Sequence, residues 1–249
     1  MKLQLIRSFA REIFFPSGCG GCGEVLLNNI DSFYGLCEDC RSFCERSLND
    51  KNRCSLCGKP LVSENNTCLK CRNKTEFNEH LVKVYTLFPY RGKFKNILGN
   101  YKFKKSLGIG NYLADCLQNV QKDFCPESGK NEDIAWVPVP PRPGKLKKQG
   151  WDQIEYLSNL LRTESPQRKS SGIKVNRCLK RLPSRSQKEL NREERGKNLK
   201  GRIICVKEAP RTALLFDDVF TTGATLDACA AALLSGGAEK VYGLCLFFD

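Results

Sequence analysis

From about residue 76 onward, short apolar runs alternate with longer amphipathic stretches. Residues 81–88 (LVKVYTLF) read as a strand. Residues 92–118 place apolar side chains at helical spacing and predict mostly helix, with a break at Gly108 and Gly110. A short apolar strand follows over 134–139 (IAWVPV), stopped by Pro140 and Pro141, which cannot extend a hydrogen-bonded ladder. The pattern then predicts a helix over 153–161, short strands over 203–206 and 212–216, a helix over 224–234 closed by Gly236 and Gly237, and a last strand over 241–248. Such alternation predicts an α/β unit, a mostly parallel sheet flanked by helices. Ligands of such sheets bind beyond the carboxyl ends of the strands.

Upstream of residue 76 the texture differs. Leu3, Ile6, Phe9, Ala10 and Ile13 give one apolar helical face over 1–16, closed by Pro16. Arg7, Arg11 and Glu12 interrupt the apolar core that a signal peptide requires. Residues 17–75 are poor in apolar residues and rich in cysteine. The expected organisation is therefore an N-terminal amphipathic helix (1–16), a small cysteine-rich domain (17–75) and the α/β domain (76–249).

A chain of 249 residues with 41% hydrophobic content can build a packed core, and no stretch reads as a transmembrane span. An integral membrane protein is not expected, and a cytoplasmic location is. In a reducing compartment, fifteen cysteines need an explanation other than disulfides. Nine of them fall between residues 19 and 71, where four CxxC pairs occur: Cys19/Cys22, Cys37/Cys40, Cys54/Cys57 and Cys68/Cys71. One CxxC turn presents two thiolates to a metal, and two turns complete the four-sulfur tetrahedron that zinc accepts. Two structural zinc ions are expected, one on Cys19, Cys22, Cys37 and Cys40, the other on Cys54, Cys57, Cys68 and Cys71. Sequential pairing is preferred, although the spacing also permits a cross-braced arrangement. His80, the single histidine, reads as a surface or linker residue.

The net charge of +14 is unevenly placed. Residues 140–212 hold 20 Lys and Arg against 7 Asp and Glu, and residues 91–105 hold six cations and no acid. Concentration of this kind favours a polyanionic partner, a phosphorylated metabolite or nucleic acid.

The residues most informative about chemistry are 214–225, LLFDDVFTTGAT. An apolar strand runs into Asp217 and Asp218, then through Thr221, Thr222 and Gly223 into a helix that begins near Ala224 and Thr225. Free N–H groups of the turn and the positive end of the helix suit a phosphate. The two carboxylates repel such an anion and are placed instead to accept hydrogen bonds from a diol or to hold Mg²⁺. A ribose 5-phosphate unit offers both groups at about the right separation.

This stretch resembles the signature loop of the type I phosphoribosyltransferases, which bind phosphoribosyl pyrophosphate. The resemblance implies that Asp217 and Asp218 contact the ribose, and that Thr221, Thr222, Gly223, Ala224 and Thr225 hold the 5′-phosphate, with Mg²⁺ accompanying the ligand. Tandem CxxC ribbons ahead of such a domain are similar to the ComF family, which is associated with DNA uptake in natural competence. The similarity extends through Pro138-Val139-Pro140-Pro141, the run Lys145, Lys147 and Lys148, the segment Gln149-Gly150-Trp151-Asp152-Gln153, and the series Gln187, Leu190, Arg195 and Asn198. Gln149 and Asp152 depart from the arginine and asparagine usual there, and Arg142 stands where a histidine is common.

On this resemblance Lys145, Lys147 and Lys148 are expected to meet pyrophosphate, and residues 180–195 to supply a mobile loop. No residue identifies an acceptor, so a catalytic residue is not assigned. Glutamine-dependent chemistry is not expected, because Cys19 is the first cysteine and reads as a zinc ligand. Tyr101, Lys102, Lys104 and Lys105, around Phe103, alternate aromatic and cationic residues in a way that suits single-stranded DNA, as does Trp151 after its lysine run; core packing of Tyr101 and Phe103 is the competing explanation. Phosphoribosyl pyrophosphate, single-stranded DNA and other DNA-uptake proteins are the expected partners. The alternative function is a metabolic phosphoribosyltransferase that acts on a small amine or base.

Overall fold

A computed structural model describes residues 17–72, 79–124, 134–163, 173–183 and 201–249. The helix expected over 1–16 and the series Gln187, Leu190, Arg195 and Asn198 lie outside these residues.

The cysteine-rich segment contains α1 (Asn29–Tyr34), α2 (Glu38–Leu48) and α3 (Leu69–Arg72). The α/β part follows as β1 (Val84–Pro89), α4 (Lys93–Lys104), α5 (Leu107–Phe124), β2 (Ile134–Pro138), α6 (Lys145–Gln149), α7 (Gln153–Arg162), β3 (Lys174–Val175), β4 (Leu179–Arg181), β5 (Ile203–Cys205), β6 (Thr212–Phe220), α8 (Ala224–Ser235) and β7 (Lys240–Phe248). Five strands form one sheet in the order β1-β7-β6-β2-β3, every pair parallel. β4 and β5 form a separate antiparallel pair against α8, so the strand expected near 203–206 does not join the main sheet.

Alternation along the central strand builds two cores. Leu214 and Phe216 of β6 join Trp136, Leu244 and Leu246 on one face, covered by α4, α5 and α7. Ala213 and Leu215 join Val137, Val241 and Cys245 on the other, covered by α8 and the β4–β5 pair.

The break in the long helical stretch falls at Lys105 and Ser106 rather than at the glycines. Lys105 adopts a left-handed conformation (φ 55°) and closes α4. Gly108 and Gly110 lie inside α5 and permit close packing there. A Cβ on Gly108 would come within 2.7 Å of the Gly35 nitrogen, and one on Gly110 within 2.6 Å of the Tyr156 ring.

The cysteine-rich segment wraps the β1 margin of the sheet. Cys19 and Cys40 pack into the first core, while Cys54, Cys57, Cys68 and Cys71 pack into the second. The outer side of β1 is satisfied from this segment: Val84 N–H donates to Leu56 O at 3.0 Å. The Arg53 guanidinium donates to Thr86 O (2.8 Å) and Leu87 O (3.3 Å). The same guanidinium also donates to Gly58 O, Ser47 O and Asp50 O. An edge strand thus loses its free hydrogen-bonding groups to neighbouring loops.

Candidate functional site

The two CxxC sets fold into two compact sulfur groups, in the sequential pairing. Cys19, Cys22, Cys37 and Cys40 form one; Cys54, Cys57, Cys68 and Cys71 form the other; in each, all four sulfurs lie within 4.8 Å of one another. A tetrahedron with metal–sulfur bonds of about 2.3 Å has edges of roughly 3.8 Å. The Cys22–Cys37 and Cys57–Cys68 sulfurs are 3.7 Å apart, so each group fits one zinc ion. Backbone N–H groups further stabilise the sulfurs, from Gly21 and Cys37 to Cys19 Sγ and from Cys68 to Cys54 Sγ.

At the sheet's carboxyl end, β2 and β6 stay paired as far as Pro138, which lies opposite Phe216. Pro140 and Pro141 follow and offer no N–H for further pairing. β6 continues on its other side, pairing with β7 through Phe220 and Phe248. It therefore runs four residues beyond the end expected from the sequence, because β7 is long enough to keep supporting it. Asp217 and Asp218 lie where β6 has lost one neighbour and kept the other.

Alternation sends the two side chains to different surroundings. Asp218 is 7% exposed, and its Oδ2 accepts from Lys102 Nζ and from Gln153 Nε2, both at 2.5 Å. Lys145 Nζ in turn donates to Gln153 Oε1 (2.6 Å) and Asp152 Oδ2 (2.5 Å), while Asp152 Oδ1 caps α7 through the N–H groups of Ile154 and Glu155. One connected network thus runs from α4 through β6 to α6 and α7. Asp217 Oδ1 accepts from the Asp218 N–H at 2.8 Å. Burial, and then the neighbouring Asp218 charge, push the Asp217 carboxyl up to about 8. Among the described residues, Asp217 Oδ2 and Asp218 Oδ1 carry no hydrogen bond.

The turn Thr221-Thr222-Gly223 connects β6 to α8, with Gly223 left-handed (φ 81°) and Thr222 Oγ1 accepting from Ala224 N–H at 3.3 Å. The N–H groups of the first helical turn face out of this end of α8. A cleft of about 760 Å³ opens beside the turn, lined by Thr222, Gly223, Ala224, His80 and Asp227 among others.

The predicted residues fall into distinct places. Lys147 and Lys148 are exposed on α6, whereas Lys145 is engaged with Asp152 and Gln153. Lys104 and Lys105 are exposed and Lys105 Nζ donates to Gln149 O at 2.9 Å, joining the end of α4 to the end of α6. Tyr101 is a correction: its ring is fully buried, its hydroxyl donates to Gln153 O (2.6 Å), and it presents no face to a base. Trp151 is likewise packed edge-on against Tyr101, with its indole N–H donating to Lys102 O. The exposed aromatic ring of this segment is Phe103, 74% accessible. Lys102 reaches inward to Asp218 and is half-buried.

Three residues take places that the sequence reading did not assign to them. Gln153 is the amide that orients Asp218. His80 donates its backbone N–H to Asp227 Oδ1 and places Nδ1 3.1 Å from Oδ2, so it is anchored to α8 rather than a loose linker. Arg181, 9% exposed on β4, has a buried Nε without a hydrogen-bond partner and forms no ion pair among the described residues. Burial, and then the like charge of Arg142, lower its pKa from the usual guanidinium value. A buried cation without an acid partner was invisible in sequence, since only the fold separates Arg181 from the surface arginines around it.

No helix among the described residues is long and apolar enough to cross a membrane. No protein-family model matches the chain. Curated proteins do match it over most of its length. Competence protein ComFC of Streptococcus pneumoniae is 29% identical over 220 residues, covering 87% of this chain and 88% of that protein. Competence protein F of Haemophilus influenzae is 26% identical over 212 residues, covering 83% and 87%. Competence protein ComFC of Bacillus subtilis is 24% identical over 214 residues, covering 81% and 79%.

Proposed function

We propose that this chain is a competence protein that binds phosphoribosyl pyrophosphate with Mg²⁺ and takes part in DNA uptake, handling incoming single-stranded DNA. The similarity to three competence proteins, over 81–87% of this chain, supports the biological role. The observation that carries the ligand assignment is the adjacency of Asp217 and Asp218, at the bare edge of β6, to the Thr221-Thr222-Gly223 turn at the head of α8.

Each acid keeps one uncommitted carboxylate oxygen for a hydroxyl of the ribose, while Lys102 and Gln153 hold Asp218 in place. The turn and the helix end receive the 5′-phosphate. Mg²⁺ arrives with the diphosphate group and neutralises it, and Lys147, Lys148, Arg142 and Arg181 supply positive charge around the mouth. The exposed Phe103 with Lys104 and Lys105, continuous with Lys147 and Lys148 through the Lys105–Gln149 contact, supplies a ring and a cationic track for single-stranded DNA. Two zinc ions, one in each cysteine group, contribute folding energy to the segment that braces β1.

Calorimetric titration with phosphoribosyl pyrophosphate and Mg²⁺ tests the assignment. Binding is expected for the native protein and its loss, with the fold retained, for Asp217→Asn/Asp218→Asn. Equal affinity in that double variant rejects the assignment.

A further inference from the structure

The acid pair and the exposed cationic track meet at one side chain. Lys102 immediately precedes Phe103 on α4, and Lys104 and Lys105 follow on the same exposed end of the helix. Its backbone is pinned from behind, because its carbonyl accepts the Trp151 indole N–H. Its ammonium points the other way, 2.5 Å from Asp218 Oδ2, with the Lys102 side chain 30% exposed and the Asp218 side chain 10% exposed. Among the described residues, Lys102 is the cation ion-paired with Asp218; the other partner of that oxygen is the neutral amide of Gln153.

One ammonium therefore faces two demands. On one side, the Lys102 ammonium is the counter-ion that orients the Asp218 carboxylate, the acid a ribose hydroxyl would meet. A phosphate on the track beside Phe103 is the other anion within reach of the same flexible side chain. When Lys102 turns outward, Asp218 stays buried with the Gln153 amide as its side-chain partner and without its counter-ion, so the acid is no longer held for the ribose.

Resting on the donor reading above, we propose that Lys102 is a counter-ion shared between the ribose-binding acids and the single-stranded DNA track, so that the two ligands weaken one another. The coupling is reciprocal: DNA lowers affinity for the sugar donor by the same factor as the donor lowers affinity for DNA. The geometry limits it to this residue, because Lys104 and Lys105 touch the track and not the acids. The consequence is a protein that holds each ligand about tenfold less tightly while the other is bound.

The test is calorimetric titration of the full, zinc-loaded chain with phosphoribosyl pyrophosphate and Mg²⁺, with and without a saturating single-stranded oligothymidylate at fixed ionic strength. Donor affinity is expected to fall by about tenfold when DNA is bound, within the usual range of coupling between sites. Lys102→Gln is expected to remove that difference while weakening each ligand alone. Lys104→Ala/Lys105→Ala is expected to weaken DNA but to leave the tenfold effect intact once DNA is saturating. Unchanged donor affinity in DNA-saturated native protein overturns the coupling and leaves donor binding standing. Full coupling in Lys102→Gln overturns the assignment to this residue, and should that variant fail to fold, loss of the effect in the Lys104/Lys105 variant overturns it equally. Absence of DNA binding removes the coupling alone, whereas absence of donor binding in native protein removes both it and the donor reading.

Discussion

Replacing Arg53 by alanine isolates what binds the cysteine-rich segment to the sheet. All five guanidinium bonds run to backbone carbonyls, those of Ser47, Asp50, Gly58, Thr86 and Leu87. Three of these acceptors, on Gly58, Thr86 and Leu87, belong to buried residues that water does not readily reach. A buried acceptor left unpaired costs about 1 kcal/mol or more, so Arg53→Ala is expected to lose roughly 3–4 kcal/mol. For a chain of this size each kcal/mol moves the melting midpoint by about 2–4 °C, which puts the shift at about 6–15 °C. Arg53→Lys keeps the charge but has three donors on a pivot instead of a planar fork, and should recover less than half of the loss. Thermal unfolding of zinc-loaded protein reads the midpoint, with Arg46→Ala on the exposed side of α2 as the control. Hydrogen exchange reads the location, with faster exchange expected first in β1. A midpoint within 2 °C of the Arg46 control, or increased exchange confined to regions away from β1, refutes the bracing role assigned to Arg53.

The other expectations concern charge and metal. Asp217 has a folded pKa near 8 against about 3.9 unfolded, so the folded state holds the extra proton between those values, and stability falls as pH rises through that window. Native protein should lose stability relative to Asp217→Asn between about pH 5 and pH 7, with a limiting slope of about 1.4 kcal/mol per pH unit that fades above about pH 8; parallel denaturation curves for the two would contradict it. Arg181→Met should raise the melting midpoint, since it removes a buried charge that has no ion pair among the described residues, while lowering affinity for phosphoribosyl pyrophosphate; a lowered midpoint in a folded variant would mark Arg181 as structural. Chelation of zinc should speed hydrogen exchange in residues 19–71 and also in β1, leaving β6 and β2 protected; unaltered exchange in the cysteine segment would show that metal does not hold it together.

How much of this was legible in the sequence depends on whether the signal was local. Four CxxC pairs announced the two sulfur groups because two ligands sit within one turn and the chain needs only to fold back once. The strand–turn–helix around Asp217 was legible for the same reason, as apolar residues, acids, hydroxyls and glycine follow in order. Tyr101 was ambiguous because an aromatic between lysines looks alike whether its ring faces a base or the core, and only the arrival of α7 and Trp151 decides it. Gly108 and Gly110 suggested a helix break, yet their use is close packing against Gly35 and Tyr156, residues far away in sequence. The length of β6 was set by β7, a partner that no local pattern specifies. Arg53 and Arg181 are both arginines in basic surroundings. One is surrounded by carbonyls and the other is buried without an ion pair among the described residues, and both facts are tertiary.

Because Arg53 and Leu56 occupy the hydrogen-bonding side of β1, and β3 at the opposite margin is only two residues long, neither outer strand gives an incoming peptide a template to zip onto. Any protein companion is thus left to recognise this molecule through side chains, by shape and charge. Its specificity can accordingly drift by surface substitution without disturbing the sheet beneath.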